Sequence, residues 1–428
     1  MPEPGDRVRV RTPKETVEGL LMPTPEYQAD ILVLKLDSGY NVGIDRKTLS
    51  SVELVSSQRD AHAATRPREQ KKNLPLITVL HTGGTIASKV DYKTGGVVAR
   101  FSPEELLGLF PELGDIAQVR SRLVRNMWSE DMRFPHYNLL AEEVAKEARA
   151  RGVIITHGTD TLHYSAAALA FALENINIPV LLVGAQRSSD RGSSDAGMNL
   201  LSAARFIAAN TGFHGVAPCM HASRSDDDCW ILPPCRTRKM HTSRRDAFRP
   251  VNAGPLARVR HGEVTILDRS SHHFSQPGPF RLRPFQDVKV GLLKAHTNMF
   301  ASEWLAYKGF HGLVVEATGL GQAPVNEIDA ETKEHAKIRT ALKELLAETV
   351  VAFAPQTIYG RLNMDVYQPA RELQDLGVLG HLCDMTPETA FIKLAWLLSN
   401  EPKRVRELYA KDLRGELRER SEPERFLV

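Results

Sequence analysis

Two short apolar runs, each ending in a glycine turn that also carries threonines, constrain this chain more than any other feature. Leu76-Ile77-Thr78-Val79-Leu80 leads into His81-Thr82-Gly83-Gly84-Thr85. Val153-Ile154-Ile155 leads into Thr156-His157-Gly158-Thr159-Asp160-Thr161. Runs this short, rich in β-branched residues and bounded by glycine, read as strands buried on both faces. Such strands belong to parallel sheets covered by helices, and ligands bind those sheets at the carboxyl ends of the strands. The pattern predicts an α/β fold in which Thr85, Thr159 and Asp160 face one crevice.

The rest of the chain fits that rhythm. Residues 136–149 and the alanine-rich stretch 161–173 read as helices, and Pro179-Val180-Leu181-Leu182-Val183-Gly184 as a further strand. Ser102-Pro103-Glu104-Glu105 has the layout of a capping box. Strand, helix and strand in succession imply a parallel sheet with right-handed crossovers. Residues 74–260 are read as one large α/β domain holding both threonine turns. Residues 1–55 differ: Val8 and Val10 alternate with Arg7, Arg9 and Arg11, and several short strands with close turns predict a small β-barrel. Residues 56–73 are polar and read as a linker. Residues 261–286, richer in Pro, Ser and His, read as a second linker. Residues 287–428 read as a smaller C-terminal α/β domain with a helical tail. Its strands are expected over 288–293, 312–315 and 350–353. Ile338, Ala341, Leu342, Leu345 and Leu346 have the spacing of a one-faced helix, and Thr386-Pro387-Glu388 starts another. Residues 403–425 read as a charged, solvated tail.

Composition narrows the function classes. The 428 residues are 42% hydrophobic and 25% charged, ordinary for a soluble globular protein. A net charge of +3 gives no argument for nucleic acid as a general partner. No apolar stretch reaches the roughly 18 residues of a membrane span, and the first residues lack a signal-peptide layout. Cys219, Cys229, Cys235 and Cys383 fit neither a zinc pattern nor a disulfide framework, so a cytoplasmic protein is expected. The chain has no phosphate-binding loop, and Gly319-Leu320-Gly321 is an isolated Gly-x-Gly.

A threonine hydroxyl is a poor nucleophile until a base takes its proton. Thr159 and Asp160 stand where a helix begins, so backbone N–H groups there can face a developing oxyanion. Asp160 can hold a substrate ammonium group or cap the helix. Lys239 lies in a basic cluster with Arg236, Arg238, Arg244, Arg245 and Arg249. A partly desolvated lysine crowded by cations tends toward the free amine and can serve as a base. Read alone, Lys239 is a surface lysine, and the cluster flanks an active site, lines an interface or binds RNA.

Together the two turns resemble the signature pair of bacterial- and archaeal-type L-asparaginases and related amidohydrolases. Trp128-Ser129-Glu130-Asp131-Met132, Gly184-Ala185-Gln186-Arg187, Ser194-Asp195-Ala196-Gly197-Met198-Asn199-Leu200 and Asp384-Met385-Thr386-Pro387-Glu388 match the same family. With the small β-rich start and the linker, the chain resembles the D-subunit family of archaeal glutamyl-tRNA(Gln) amidotransferases. The resemblance implies a two-domain asparaginase-like α/β fold with Thr85 as nucleophile. It implies Thr159, Asp160 and Lys239 as its catalytic companions, and Ser129 and Asp160 as substrate-holding residues. Glu130 stands where the family usually has glutamine, and Tyr92 is the candidate flap tyrosine. The implied activity is a glutaminase whose ammonia is used by a partner, the E subunit of the amidotransferase, to convert Glu-tRNA(Gln) to Gln-tRNA(Gln). Asparagine is the other possible amide donor. A homodimer within a heterotetramer is implied, with the tRNA bound mainly by the partner. No cofactor is expected in this chain, and ATP and Mg are expected in the partner. The alternative is a stand-alone L-asparaginase with an accessory N-terminal domain.

Overall fold

The computed structural model describes residues 2–22, 30–36, 41–57, 71, 73–83, 88–90, 97–99, 102, 104, 106–107, 110–147, 149–187, 194–275 and 278–421. The chain opens with five strands: β1 (Arg7–Arg11), β2 (Thr16–Leu21), β3 (Ile31–Lys35), β4 (Asn41–Asp45) and β5 (Ser51–Ser56). They form an antiparallel sheet in the order β4-β3-β2-β1-β5. The arginine–valine alternation of β1 sorts by face. Val8 and Val10 are buried with Leu21, Leu32, Leu34 and Ile44, while Arg7 and Arg9 reach Glu18 at 2.9 and 3.0 Å. Among the described residues β4 and β5 remain edges, so the expected barrel is there an open sheet. Most of the stretch read as the first linker, and Pro103 and Glu105 of the expected capping box, lie outside the described residues.

The next strands are β6 (Leu76–His81), the paired β7 (Ser88–Val90) and β8 (Val97–Ala99), β9 (Gln118–Leu123), β10 (Gly152–Thr156), β11 (Leu173–Glu174), β12 (Pro179–Val183) and β13 (Gly215–His221). After them come β14 (Asp228–Ile231), β15 (Thr237–Lys239), β16 (Phe248–Pro250), β17 (Ala257–Arg260), β18 (Glu263–Ile266) and β19 (Arg281–Leu282). Eight of them make one sheet in the order β18-β17-β14-β13-β12-β10-β6-β9. From β9 to β13 the neighbours are parallel; β14, β17 and β18 extend the sheet antiparallel. β18 falls inside the stretch read as the second linker. Its polar residues reflect a solvated edge strand rather than a chain leaving the domain.

The inner parallel strands β6, β10, β12 and β13 are buried on both faces, which is why they read as continuous apolar runs; β9, at the edge, is polar and partly exposed. Successive side chains alternate between two cores: Val153 and Ile155 join one, Ile154 the other. The helix Leu162–Ala172 is buried except at Tyr164, as its all-round apolar sequence requires.

The last unit is a parallel sheet of β20 (Val290–Lys294), β21 (Gly312–Ala317) and β22 (Val350–Pro355). The helix Lys333–Leu346 buries Ile338, Ala341, Leu342 and Leu345. The helix Pro387–Asn400 begins with a Thr386 side chain that accepts from the Thr389 N–H, and it packs on Leu162–Ala172. The tail is not the solvated segment its charge suggests. Val405, Leu408 and Tyr409 are buried, and a fully buried ion pair joins Glu416 to Lys393 at 2.5 Å. Among the described residues no helix is long and apolar enough to cross a membrane.

Candidate active site

Adjacent parallel strands β6 and β10 end in register, His81 opposite Thr156, so the two threonine turns leave the sheet side by side. They are stitched together at once. The Thr82 hydroxyl donates to the Thr156 carbonyl at 2.9 Å, and the Met127 N–H donates to the Thr82 carbonyl at 3.0 Å. Gly83, at φ +105°, allows that approach: a Cβ there would lie 2.5 Å from the Met127 carbonyl oxygen. The segment that runs on into Ser129 is thereby drawn against the first turn. Thr85 and Tyr92 lie outside the described residues.

The second turn meets a strand far along the chain. The Lys239 ammonium, at the end of β15, donates to Thr159 Oγ1 at 2.9 Å and to Asp160 Oδ1 at 2.8 Å. Its side chain is 9% exposed, while that of Asp160 is 69% exposed. The carboxylate therefore faces outward, and the amine sits inward against the hydroxyl. The N-cap position of the following helix is Thr161, not Asp160, and its side chain makes no capping hydrogen bond. The Thr161 hydroxyl donates to the Ser129 carbonyl at 2.5 Å. Ser129 is buried, and its Oγ lies 3.4 Å from a carboxylate oxygen of the exposed Glu130. Ser129, Thr159, Asp160 and Lys239 thus converge, with Glu130 at the rim.

Two glycines make the convergence possible. A Cβ at Gly158 would lie 2.8 Å from the Ser129 Cβ, and one at Gly184 would lie 2.8 Å from the Thr159 Cγ2. Gly184 is itself held in place. The Asn199 amide donates to its carbonyl at 3.0 Å, and Asp195 accepts from the Gln186 and Arg187 N–H groups at 3.0 and 2.9 Å. Sequence reasoning noted these segments without assigning them this role; the only local signal was glycine directly after the apolar run 180–183.

Behind the turns lie neutral histidines. Burial pushes His157 down to about 4. Its Nδ1 is 2.7 Å from the Gly158 carbonyl and its Nε2 2.8 Å from Ser165 Oγ. A carbonyl only accepts, so Nδ1 carries the proton and the Ser165 hydroxyl donates to Nε2. Burial also pushes His81 down to about 4. These groups brace the turn rather than exchange protons at neutral pH.

The basic cluster is not the cation excess that the sequence suggests. Arg236 pairs with Asp384 through both oxygens at 3.0 Å, Arg238 with Glu388 at 2.9 Å, and Arg245 with Asp226 at 2.5 Å. Arg244 and Arg249 share Asp246, each at 2.7 Å. The Arg244 hydrogen bond is the main reason the Asp246 carboxyl sits below its usual range. Asp246 sits within the cluster, but Asp384 and Glu388 come from a distant segment that local spacing could not reveal. With each arginine matched to a carboxylate, the cluster offers little for RNA phosphates. A cavity of about 700 Å³ lies at the opposite ends of the strands, lined by Pro75, Leu76, Arg151 and Pro179. None of the converging residues reaches it. Among the described residues no group of three or more His, Cys, Asp or Glu is placed to hold a metal ion.

Comparisons with known proteins show the family of the chain. The family model "Asparaginase, N-terminal" matches residues 76–272, and "Glutaminase/Asparaginase C-terminal domain" matches residues 289–408. "GatD N-terminal domain" matches residues 2–55. The D subunit of the glutamyl-tRNA(Gln) amidotransferase of Pyrococcus furiosus is 39% identical, across 100% of this chain and 97% of its own length. That of Thermofilum pendens is 40% identical, across 97% and 93%. The chain belongs to the D-subunit family of glutamyl-tRNA(Gln) amidotransferases. Among solved structures, the thermostable L-asparaginase of Thermococcus kodakarensis is 27% identical with a TM-score of 0.70, covering 80% of this chain and 99% of that one. L-asparaginase I of Vibrio cholerae is 26% identical with a TM-score of 0.68, covering 81% and 99%. This member of the D-subunit family is therefore an amidohydrolase component of the amidotransferase, built on the two-domain asparaginase fold behind an added β-rich start.

Proposed function

We propose that the chain hydrolyses the side-chain amide of glutamine and supplies the ammonia to a partner that amidates Glu-tRNA(Gln). The observation that carries this reading is the 2.9 Å contact between the Lys239 amine and the Thr159 hydroxyl, on a turn stitched to the one that leads to Thr85. The Thr85 hydroxyl attacks the carboxamide carbon. Its proton passes through Thr159 and Lys239 to the departing nitrogen, which leaves as ammonia. Water then attacks the γ-glutamyl ester, releases glutamate and restores the hydroxyl. Backbone N–H groups near Thr159 face the oxyanion, and one such donor is typically worth about 3 kcal/mol. Asp160 holds the α-ammonium group, Ser129 the α-carboxylate end, and Glu130 and Tyr92 border the pocket.

In this reading the partner is the E subunit of the amidotransferase, which binds most of the tRNA and holds ATP and Mg. The chain pairs with a second copy inside a heterotetramer. Ammonia release from glutamine tests the site in Thr85→Val, Thr159→Val and Lys239→Ala variants. All three should lose activity, and retention by Thr85→Val together with Lys239→Ala would overturn the assignment. The likeness to L-asparaginase structures favours asparagine as the competing amide donor. High asparagine turnover by the lone chain, indifferent to partner and tRNA, would favour a free-standing asparaginase instead.

A further inference from the structure

Lys239 is presented by a strand that the C-terminal domain holds from behind. Among the described residues β15 pairs only with β16, in a two-stranded ribbon separate from both large sheets. Along a strand successive side chains point to opposite sides. Lys239 points to Thr159, while Arg238 points away and donates to Glu388 at 2.9 Å. Arg236, two residues earlier, also points away and makes its buried double contact with Asp384. The Thr389 hydroxyl donates to the Cys235 carbonyl at 2.9 Å. One stretch of the C-terminal domain, residues 384–389 at the start of the helix Pro387–Asn400, thus bolts the strand on the side opposite to the one it works on.

Glu388 also lies close to the other half of the site. The oxygen that accepts from Arg238 lies 4.0 Å from His163 Nε2. His163 stands in the first turn of the helix that follows Thr159 and Asp160. Burial pushes it down to about 4, so it faces Glu388 as a neutral imidazole at neutral pH. One buried carboxylate therefore lies between the strand that brings the amine and the helix that brings the hydroxyl.

We propose that Glu388 is a positioning residue for glutamine hydrolysis, setting the separation of Lys239 and Thr159 through Arg238 on one side and His163 on the other. The inference rests on the function proposed above. The reaction needs the hydroxyl and the amine within hydrogen-bond reach, and errors of about 1 Å in such a pair can cost on the order of 100-fold in rate. Glu388 touches neither of them, nor the substrate-binding groups Asp160 and Ser129, so its loss is expected mainly in turnover.

The test uses the full-length chain, assembled with its partner where the lone chain is silent, and follows ammonia release from glutamine. Glu388→Gln should lower kcat roughly 10- to 100-fold with KM changed less than about twofold. Glu388→Asp, which keeps the charge, should recover part of the loss. Arg238→Gln/Glu388→Gln removes both charges together and leaves neither ion unpaired. Its kcat stays low if Glu388 positions the strand, and returns to the wild-type value if the pair serves only stability. That return, or a wild-type kcat in Glu388→Gln itself, overturns the proposal. Lys239→Ala separates the two claims: its inactivity upholds the site whatever Glu388 does, and its activity would remove the function reading.

Discussion

Gly184 lies where any side chain would strike Thr159: a methyl group there would sit 2.8 Å from the Thr159 Cγ2 and 3.2 Å from the His157 carbonyl. The glycine at the end of β12 is therefore part of the site's shape. Gly184→Ala should fold, because the backbone there is not in the left-handed region. It should lose glutamine turnover by on the order of 100-fold through displacement of the Thr159 side chain. Steady-state kinetics beside a circular dichroism spectrum would check this, and unaltered turnover would show that Thr159 has room to spare.

Thr159 is expected to matter for its hydroxyl alone. Thr159→Ser keeps the group that meets Lys239 and should retain activity within about tenfold, whereas the isosteric Thr159→Val should lose at least about 100-fold. Ammonia release under saturating glutamine distinguishes the two. Equal losses in both variants would point to packing instead.

Acid should loosen the fold in a defined window. His81, His157 and His163 are each held by burial at about 4, against an ordinary value of 6.5. Between those values the unfolded chain binds more protons than the folded one, so stability is complete above about pH 6.5 and is lost as pH falls toward 4. Each site contributes up to about 3 kcal/mol over that span. Urea midpoints at about pH 7 and about pH 4.5 should differ clearly; coincident midpoints would mean that the three rings are protonated at no cost.

The tail should depend on one buried ion pair. Lys393 and Glu416 are both fully buried, and the Glu416 carboxylate also accepts the Leu413 and Arg414 N–H groups. Lys393→Met strands that carboxylate without a counter-charge, which typically costs about 3–5 kcal/mol. Lys393→Met/Glu416→Gln keeps a side-chain oxygen to accept from those backbone N–H groups, removes the lone charge and should regain much of the loss. Chemical denaturation of the two variants gives the comparison, and a single variant no less stable than the double would count against it.

Much of the architecture was legible because it is written locally. The Ile338–Leu345 stripe, the apolar runs of β6, β10 and β12 and the arginine–valine alternation of β1 each report a burial pattern that nearest neighbours encode. The site was legible only in part. Thr159 announced itself by following a strand, but its meeting with Lys239 spans 80 positions and came from resemblance, not spacing. The arginine cluster misled for the same reason, since Asp384 and Glu388 lie well over a hundred residues away. In the tail, Val405, Leu408 and Tyr409 were outnumbered by charges, and nothing local showed that Glu416 would find a buried lysine.

The separateness of the β15–β16 ribbon has an outcome for how this enzyme should fail. Lys239 rides on a tab fastened to one unit while Thr159 belongs to the other, so the gap between them gauges how tightly the two units close. Prying them apart lifts the amine from the hydroxyl while every strand ladder stays zipped. Turnover should therefore vanish at milder denaturant than helix and sheet content does.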